Sequence, residues 1–392
     1  MSAHANPTNS FPELPPATTP EEIRDICRES ELTPGEVHAE YLNLNGQITV
    51  HLDAFVGKIV DATEEFRTLT LPLLDQMQSL LSKRGSRRKL LNITGVPTWK
   101  QWFIDAKGRI KQTMHGLALA WHYHPLAWTV RCGDRKTPIE VFTDDDSFLK
   151  AIERRTKLGN AFSDGGLRKI LRTFSSTQSV SNFRPTAAAA VYHRLLPDEG
   201  GVVWDMSAGF GGRLLGALAC DRVERYIGTD PSTYAMDGLR EMAEELVPMA
   251  QSLGRRTLEV ELYKLGSEDF VPERNSLRLC FSSPPYAGWE QYSDEATQSY
   301  KKFPTQHEWL RGFIGATLRN CAHGLKRSGT LAVNIASVAA YPNLATVFLR
   351  YAEANGWRLV ETLQLQLSKM VGLKHLGKGA FKTEPIFVFK KK

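Results

Sequence analysis

The spacing of apolar and polar residues changes near the middle of the chain. Before residue 182, apolar residues recur mostly at helical intervals, as with Leu52, Phe55 and Ile59 in the stretch 51–83. From about Asn182, short apolar runs of strand length alternate with helical patterns. This alternation predicts a doubly wound α/β domain with a mostly parallel sheet, preceded by a largely helical N-terminal region.

The second half of the chain can be divided into individual elements on this basis. Strands are predicted at 202–204, 226–228, 258–263, 277–281, 330–335, 358–364 and 386–389, and helices at 212–220, 235–246, 307–325 and 343–355. The domains predicted from the pattern are a polar, proline-rich tail at 1–18 that is expected to be disordered, a helical region at 19–181 and the α/β domain at 182–392.

The helical region contains a hairpin pattern that two interpretations explain. Stretches 98–106 and 109–123 have helical spacing and are separated by Lys107-Gly108, with Arg109 and Lys111 at the front of the second. A helix-turn-helix that reads DNA has this form. An ordinary pair of helices with Trp99 and Trp102 in its core fits the pattern as well. Residues 139–142 are predicted to form a short strand.

Composition places the chain among globular proteins of reducing compartments. It has 392 residues, of which 42% are hydrophobic and 23% charged. Its longest apolar stretches fall short of a membrane span, and its start lacks the pattern of a secretory signal. The five cysteines are scattered without metal-ligand spacing, so no structural zinc is expected. We expect a soluble, cytoplasmic protein, associated with the nucleoid of a bacterium or with a phage.

Charge is distributed unevenly. The net charge is −9 over residues 1–79, +11 over 80–175 and +4 over the remainder. A basic segment of this length is typical of proteins that bind nucleic acid, although solvated lysine-rich helices produce the same count. The candidate DNA-binding residues are Arg87, Arg88, Arg109, Lys111, Lys374 and Lys378. The acidic outer face of the stretch 51–83 suits pairing with a partner helix or with a second copy of the chain.

The four residues Ser283-Pro284-Pro285-Tyr286 follow the predicted strand 277–281. Two prolines end the strand and remove two N–H donors, while the carbonyl groups stay free to accept hydrogen bonds. Hydroxyl and carbonyl oxygens suit the NH₂ group of a planar heterocycle, and an aromatic ring can stack on it. The candidate catalytic residues are therefore Ser283, Pro284, Pro285 and Tyr286, although ordinary turns also contain such proline pairs.

A glycine-rich turn and two acidic loops predict a nucleotide-like cofactor. Asp205 precedes the turn with Ala208, Gly209 and Gly211, where bare amides at a helix start can approach a ligand. Asp205 suits an ammonium group. Asp230 lies at the tip of the next strand, where ribose hydroxyls are bound in such folds, although it also fits a helix cap. Asp269 and Phe270 follow the third strand and offer an acceptor and an aromatic ring for adenine.

The order of these motifs resembles that of the DNA amino-methyltransferases, which use S-adenosylmethionine to methylate exocyclic amines of bases. The resemblance covers roughly residues 182–392 and includes Asn182-Phe183-Arg184-Pro185-Thr186, whose last four residues it assigns to cofactor binding. It implies a Rossmann-like methyltransferase domain. Serine before Pro-Pro-Tyr is similar to members that methylate N4 of cytosine, whereas aspartate is commoner in members that methylate N6 of adenine.

The resemblance implies a mechanism based on alignment. The amine of a flipped-out base would donate hydrogen bonds to Ser283 and to the carbonyl near Pro284, stack on Tyr286 and attack the methyl group, with no metal required. The implied partners are double-stranded DNA and, for a modification enzyme, a cognate restriction endonuclease. Alternatives are an N6-adenine DNA methyltransferase, an RNA methyltransferase and a DNA-binding regulator with an inactive methylase domain.

Overall fold

The structure is a computed structural model of the 392-residue chain. It describes residues 104–105, 107–111, 116–144, 147, 150–151, 154, 170–173, 177–252, 255–286, 288, 290–338, 341–367 and 383–392. The chain divides into two compact units. The larger unit consists of Gln78–Asp134 and Ser179–Lys392, and the smaller one of Met1–Met77 and Arg135–Gln178.

An eight-stranded sheet forms the centre of the larger unit. Its strands are β1 (Arg109–Lys111), β3 (Gly201–Asp205), β4 (Val223–Thr229), β5 (Glu259–Tyr263), β6 (Leu277–Ser282), β8 (Leu325–Asn334), β9 (Trp357–Gln366) and β10 (Thr383–Lys391). Two short strands, β2 (Arg131–Cys132) and β7 (Glu290–Gln291), pair with each other outside this sheet.

The strand order explains where a ligand site should lie. The order is β1-β9-β10-β8-β6-β3-β4-β5. Strands β3, β4, β5, β6 and β8 run parallel, and β10 is antiparallel to both of its neighbours, β8 and β9. The chain order reverses between β3 and β6, which is the switch point at which doubly wound sheets bind ligands. The predicted α/β fold with a mostly parallel sheet is confirmed.

Helices cover both faces of the sheet. The helices of the larger unit are α1 (Leu117–His122), α3 (Pro185–Leu195), α4 (Gly212–Leu218), α5 (Thr233–Ser252), α6 (Ser299–Lys302), α7 (Gln306–Glu308), α8 (Gly315–Gly324) and α9 (Leu344–Ala354), with a π-helical turn at Trp309–Ile314. Alternate strand residues pack into two cores. Val203 and Leu279 contribute to the core with α3, α4 and α5, whereas Trp204 and Cys280 contribute to the core with α8 and α9.

Small residues bring α3 and α4 close together. Helix α3 contains the run Ala187–Ala190, all buried. A Cβ atom added at Gly216 of α4 would lie 2.5 Å from the Cβ of Ala188. Because that distance is shorter than van der Waals contact, glycine at position 216 allows this approach.

The segment before the predicted domain boundary is part of the same unit. Strand β1 pairs in parallel with β9 at the edge of the sheet, with Arg109 opposite Gln364. The prediction of a helix that begins at Arg109 is therefore wrong, and with it the helix-turn-helix at this place. Instead, an isolated bridge joins Ile104 to Ile110 around the turn at Gly108, whose φ is 70°. The larger unit thus includes residues on the N-terminal side of 182.

A second correction concerns residues 139–142, which were predicted to form a strand. Within the smaller unit, Pro138–Thr143 forms helix α2. The Thr137 side chain accepts a hydrogen bond from the amide of Glu140, and the Glu140 carboxylate accepts one from the amide of Thr137. This capping box, with proline at the first helical position, outweighs the strand preference of Ile139 and Val141.

Within the described part of the chain, no helix combines the length and the apolar character needed to cross a membrane.

Candidate active site

A cavity of about 330 Å³ lies beyond the carboxyl ends of β3, β4 and β6. Its walls come from the loops that follow those strands, together with residues 181–184 and the segments around β7, α6 and β10. The volume is within the usual range for small-molecule sites, about 300–1,000 Å³. The cavity occupies the switch point that the strand order defines.

The glycine-rich turn after β3 forms one end of the cavity. Ala208 and Gly209 line it, and Gly209 has a φ of 55°, which favours glycine. Gly211, with a φ of 73°, is the N-cap of α4 and does not line the cavity. At Gly212, an added Cβ would lie 1.9 Å from the carbonyl oxygen of Phe183, so this glycine lets residues 182–183 pack against the turn.

Asp230 follows β4 and faces the cavity, as the ribose-binding prediction requires. Its Oδ2 accepts a hydrogen bond of 2.9 Å from the Gly209 amide, and its Oδ1 accepts one of 3.0 Å from the Ser232 amide. Desolvation raises the pKa of Asp230 to about 6, against the effect of the two amides. The carboxylate is thereby fixed at the edge of the glycine turn, with oxygen lone pairs remaining for a ligand.

Asp205, which was predicted to contact an ammonium group of the cofactor, lies beneath the cavity wall and not at its surface. Its carboxylate is fully buried and does not line the cavity. It accepts hydrogen bonds from Arg213 Nε at 2.8 Å, the Tyr226 hydroxyl at 2.6 Å and the Ser282 hydroxyl at 2.9 Å. The geometry therefore gives the prediction of an ammonium contact no support. Asp205 instead joins α4, β4 and the end of β6 beneath the cavity.

The loop after β5 places a different residue at the cavity from the predicted pair. Glu268 lines the cavity, whereas Asp269 and Phe270 do not. Lys302 Nζ lies 2.5 Å from Glu268 Oε1 and 2.6 Å from Asp269 Oδ2. Glu268 Oε2 is buried and has no hydrogen-bond partner among the described residues. Phe270 packs against Trp204, with ring centroids 5.1 Å apart, and supports the loop from behind.

The segment before α3 contributes two of its four predicted residues to the cavity wall. Phe183 and Arg184 line the cavity, whereas Pro185 and Thr186 are buried in the first turn of α3. The Phe183 ring contacts Phe281 edge-on at a centroid distance of 5.3 Å. Arg184 forms no ion pair with a described residue, and burial lowers the pKa of its guanidinium. It is a cation at the cavity wall without a protein counter-charge in the described chain.

Ser283, Pro284, Pro285 and Tyr286 all line the other end of the cavity. The Tyr286 hydroxyl accepts a hydrogen bond of 3.0 Å from the Ala336 amide, which fixes the ring. The Ser283 hydroxyl has no hydrogen-bond partner among the described residues. These four residues, called the shelf below, bring an aromatic ring and an unpaired hydroxyl to the cavity wall.

Two glutamates beside this shelf were not identified from the sequence. Glu290 of β7 and Glu384 of β10 line the cavity, together with Tyr292 and Asn334. Glu290 Oε2 accepts a hydrogen bond of 3.4 Å from the Tyr286 amide, and the side chain of Tyr292 lies close enough to oppose part of the rise in the pKa of Glu290. Burial and the nearby Glu384 raise the pKa of Glu290. The sequence shows only that Glu290 comes four residues after Tyr286. Without the backbone conformation of that segment, this spacing does not indicate that the two residues are in contact.

The candidate DNA-binding residues are separate from the cavity or outside the described chain. Arg109 is exposed on β1, where its Nε lies 2.6 Å from Asp105 Oδ2. Lys111 is the last residue of β1. Arg87, Arg88, Lys374 and Lys378 lie outside the described residues, so their predicted role stays a prediction.

No protein-family model matches the sequence, and no curated protein matches it either. Solved structures match about half of the chain. One is a TehB-like SAM-dependent methyltransferase from Corynebacterium glutamicum, 15% identical, with 54% of this chain and 90% of that chain covered and a TM-score of 0.34. Another is a putative RNA methyltransferase from Pyrococcus horikoshii, 14% identical, with coverages of 53% and 85% and a TM-score of 0.33.

A third match is the [4+2]-cyclase SpnF, 12% identical, with coverages of 54% and 84% and a TM-score of 0.36. Similarity at this level does not indicate a substrate for this chain. Its fold is defined by the strand order described above.

Proposed function

We propose that the protein is an S-adenosylmethionine-dependent methyltransferase that modifies the exocyclic N4 amine of cytosine in DNA. The observation that carries this proposal is that a single cavity is lined by the predicted cofactor-binding residues at one end and by the predicted amine-binding residues at the other. At one end lie the glycine turn and Asp230, and at the other lies the Ser283-Pro284-Pro285-Tyr286 shelf. A methyl donor at the first end and an amine at the second would lie in the same cavity.

The residues at the first end fit the donor. Asp230 offers a carboxylate to ribose hydroxyls, and the unpaired oxygen of Glu268 is suited to the adenine amine. The Arg184 guanidinium, which has no counter-charge among the described residues, suits the carboxylate of the amino-acid portion. When bound, the sulfonium supplies an activated methyl group. The chain's task is then to orient the acceptor and to exclude water.

The second end fits a planar amine. The Ser283 hydroxyl is available as an acceptor, and the prolines leave carbonyl oxygens without competing N–H groups. The Tyr286 ring, held by the Ala336 amide, offers a stacking face. Stacking on an aromatic ring contributes about 1–3 kcal/mol per base. That contribution offsets much of the few kcal/mol needed to extrude a base from a duplex.

DNA is the proposed polymer because of the basic segment 80–175, whose net charge is +11. Neutralised phosphates release counterions, so affinity should fall steeply as salt rises. The Arg87→Ala/Arg88→Ala double variant should reduce the slope of log affinity against log salt by about 2. An unchanged slope would remove these two residues from the interface.

The decisive test identifies the methylated base. Unmethylated genomic DNA is incubated with the full-length protein and S-adenosylmethionine, digested to nucleosides and examined by mass spectrometry. N4-methylcytosine supports the proposal, and N6-methyladenine would assign the same fold to the other amine. Methylation of RNA but not of DNA would contradict the DNA substrate, whereas DNA binding without methyl transfer would indicate an inactive methylase domain.

Variants of the shelf link the product to the site. Tyr286→Ala should reduce methyl transfer strongly because it removes the stacking face. Tyr341→Phe serves as a control, because it changes another tyrosine that does not line the cavity. Equal activity of Tyr286→Ala and the unmodified protein would show that the amine is bound elsewhere.

A further inference from the structure

When an amine is methylated, one of its N–H protons has to leave. On the proposed function, the amine nitrogen forms a bond to the methyl carbon while the bond from that carbon to sulfur breaks. The electron pair of the broken bond stays on sulfur, and the nitrogen becomes positively charged. Loss of one N–H proton then restores a neutral methylated base. A group near the shelf that can accept this proton would lower the cost of the charged nitrogen.

The shelf itself does not contain such a group. The Ser283 hydroxyl and the peptide carbonyls accept hydrogen bonds, but neither is basic enough to take up a proton at neutral pH. A protein group that accepts the proton directly would therefore be another side chain at the cavity wall. Among the residues that the structure describes, the carboxylates that line the cavity are Asp230, Glu268, Glu290 and Glu384.

Two of these carboxylates belong to the other end of the cavity. Asp230 accepts a hydrogen bond from the Gly209 amide of the glycine turn. Glu268 is paired with Lys302, which keeps one of its oxygens occupied. Glu290, in contrast, is bonded to the amide of Tyr286, the last residue of the shelf. Glu384 follows Thr383, the first residue of β10, and faces the same end.

We propose that Glu290 is a catalytic residue that accepts the proton from the amine as it is methylated. Its carboxylate accepts a hydrogen bond from the Tyr286 amide, and the side chain of Tyr292 lies nearby. The pairing of β7 with β2, in which Glu290 lies opposite Cys132, fixes its backbone. Two carboxylate oxygens offer about four lone pairs, so acceptor capacity remains for an N–H group of the substrate.

The surroundings of Glu290 make its carboxylate a stronger proton acceptor than that of an exposed glutamate. Burial, followed by the negative charge of Glu384, raises the pKa of Glu290, which brings it closer to the working pH. The other titratable groups that face it are neutral. Burial and Glu290 raise the pKa of the Cys132 thiol to about 12, and burial raises the pKa of the Tyr286 and Tyr292 hydroxyls.

The Glu290→Gln variant separates a base from a structural support. The glutamine carbonyl can still accept a hydrogen bond from the Tyr286 amide, but it cannot take up a proton. At saturating S-adenosylmethionine and with unmethylated genomic DNA, we expect its single-turnover rate of methyl transfer to fall by about 100-fold or more. Donor affinity and thermal unfolding should stay close to those of the unmodified protein. Glu353→Gln, which removes the same charge from an exposed residue, is the matched control.

The pH profile supplies a second measurement. With S-adenosylmethionine kept saturating at every pH, the single-turnover rate of the unmodified protein should rise with pH through the raised pKa of Glu290. The Glu384→Gln variant removes a neighbouring negative charge, so this rise should move to lower pH. In Glu290→Gln it should disappear.

The outcomes separate the two proposals. Full activity of Glu290→Gln, with product identical to that of the unmodified protein, would overturn the role of Glu290 and leave the proposed function intact. A lost rate accompanied by lost donor binding or by unfolding would also overturn it, in favour of a structural role. If the unmodified protein transfers no methyl group to an amine, the proposed function fails and this proposal fails with it.

Discussion

Two aspartates that follow neighbouring strands have opposite surroundings. Asp205 ends β3 and is buried among Arg213, Tyr226 and Ser282, whereas Asp230 follows β4 and faces the cavity. The sequence could predict that both lie at the carboxyl edge of the sheet, because both end apolar strands. It could not predict the direction of the Asp205 side chain, because that depends on Arg213, eight residues later, and on Ser282 of a third strand.

The Asp205→Asn variant tests the buried ion pair. It leaves Arg213, whose side chain is 6% exposed, without a counter-charge. Breaking a buried pair in this way costs about 3–5 kcal/mol in the free energy of unfolding, which denaturant titration measures. Glu224→Gln, at an exposed pair with Arg256, should cost less than about 1 kcal/mol. Unchanged stability with lost donor affinity would instead restore the predicted ammonium contact.

Asp230 predicts a pH dependence of donor binding. Its pKa is raised to about 6, so the carboxylate becomes protonated as the pH falls through that value. A protonated carboxyl group loses acceptor capacity for the ribose hydroxyls. The association constant for S-adenosylmethionine should therefore decrease by up to about tenfold for each pH unit below 6. Calorimetric titration between pH 5 and 8 measures this dependence. The Asp230→Asn variant should bind S-adenosylmethionine weakly and without this pH dependence. If its affinity still fell below pH 6, the assignment of the pH dependence to Asp230 would be contradicted.

Among elements, the strands at the centre of the sheet were the most predictable. The strands at 202–204, 226–228 and 277–281 appear as β3, β4 and β6. Their apolar runs are buried on both faces, so local sequence and final environment agree. Strand β1 was mistaken for the start of a helix because three residues, Arg109–Lys111, carry too little pattern. Only pairing with the distant β9 makes them a strand.

The contact between α5 and the segment after α1 is a testable element of the packing. A Cβ atom added at Gly238 of α5 would lie 2.3 Å from the Tyr123 carbonyl oxygen and 2.6 Å from His124 Nε2. Gly238→Ala should therefore lower the free energy of unfolding by about 1–3 kcal/mol. Glu244→Ala, at an exposed position of the same helix, should change it by less than about 0.5 kcal/mol. Equal stability of the two variants would show that the contact can relax without cost.

At the scale of the whole molecule, two chain segments build the larger unit. Gln78–Asp134 joins Ser179–Lys392 in it, and the intervening residues belong to the smaller unit. The change in the spacing of apolar residues near Asn182 correctly predicted that strands and helices alternate from there on. It could not show that the sheet also contains an earlier strand, because no local pattern connects Arg109 to Gln364.

Removal of residues 1–181 tests this organisation. The shortened chain would expose Phe210, which packs in one cluster with Leu117, Trp121, Ala127 and Cys132. Its apolar surface should lower solubility and thermal stability relative to the full chain. Differential scanning calorimetry and size-exclusion chromatography measure both properties. A soluble chain of undiminished stability beginning at residue 182 would contradict the structural role of the earlier segment.

The pairing of β1 with β9 also constrains how the protein can be made in a cell. Arg109 leaves the ribosome long before Gln364, its partner in the sheet. At roughly 5–20 residues per second, the delay is on the order of ten seconds or more. During that time the edge strand has no partner, and its completion depends on a contact between distant parts of the chain, which slows folding. Nascent chains would thus complete this edge of the sheet only after Gln364 has been made, and chaperone binding would be expected during the interval.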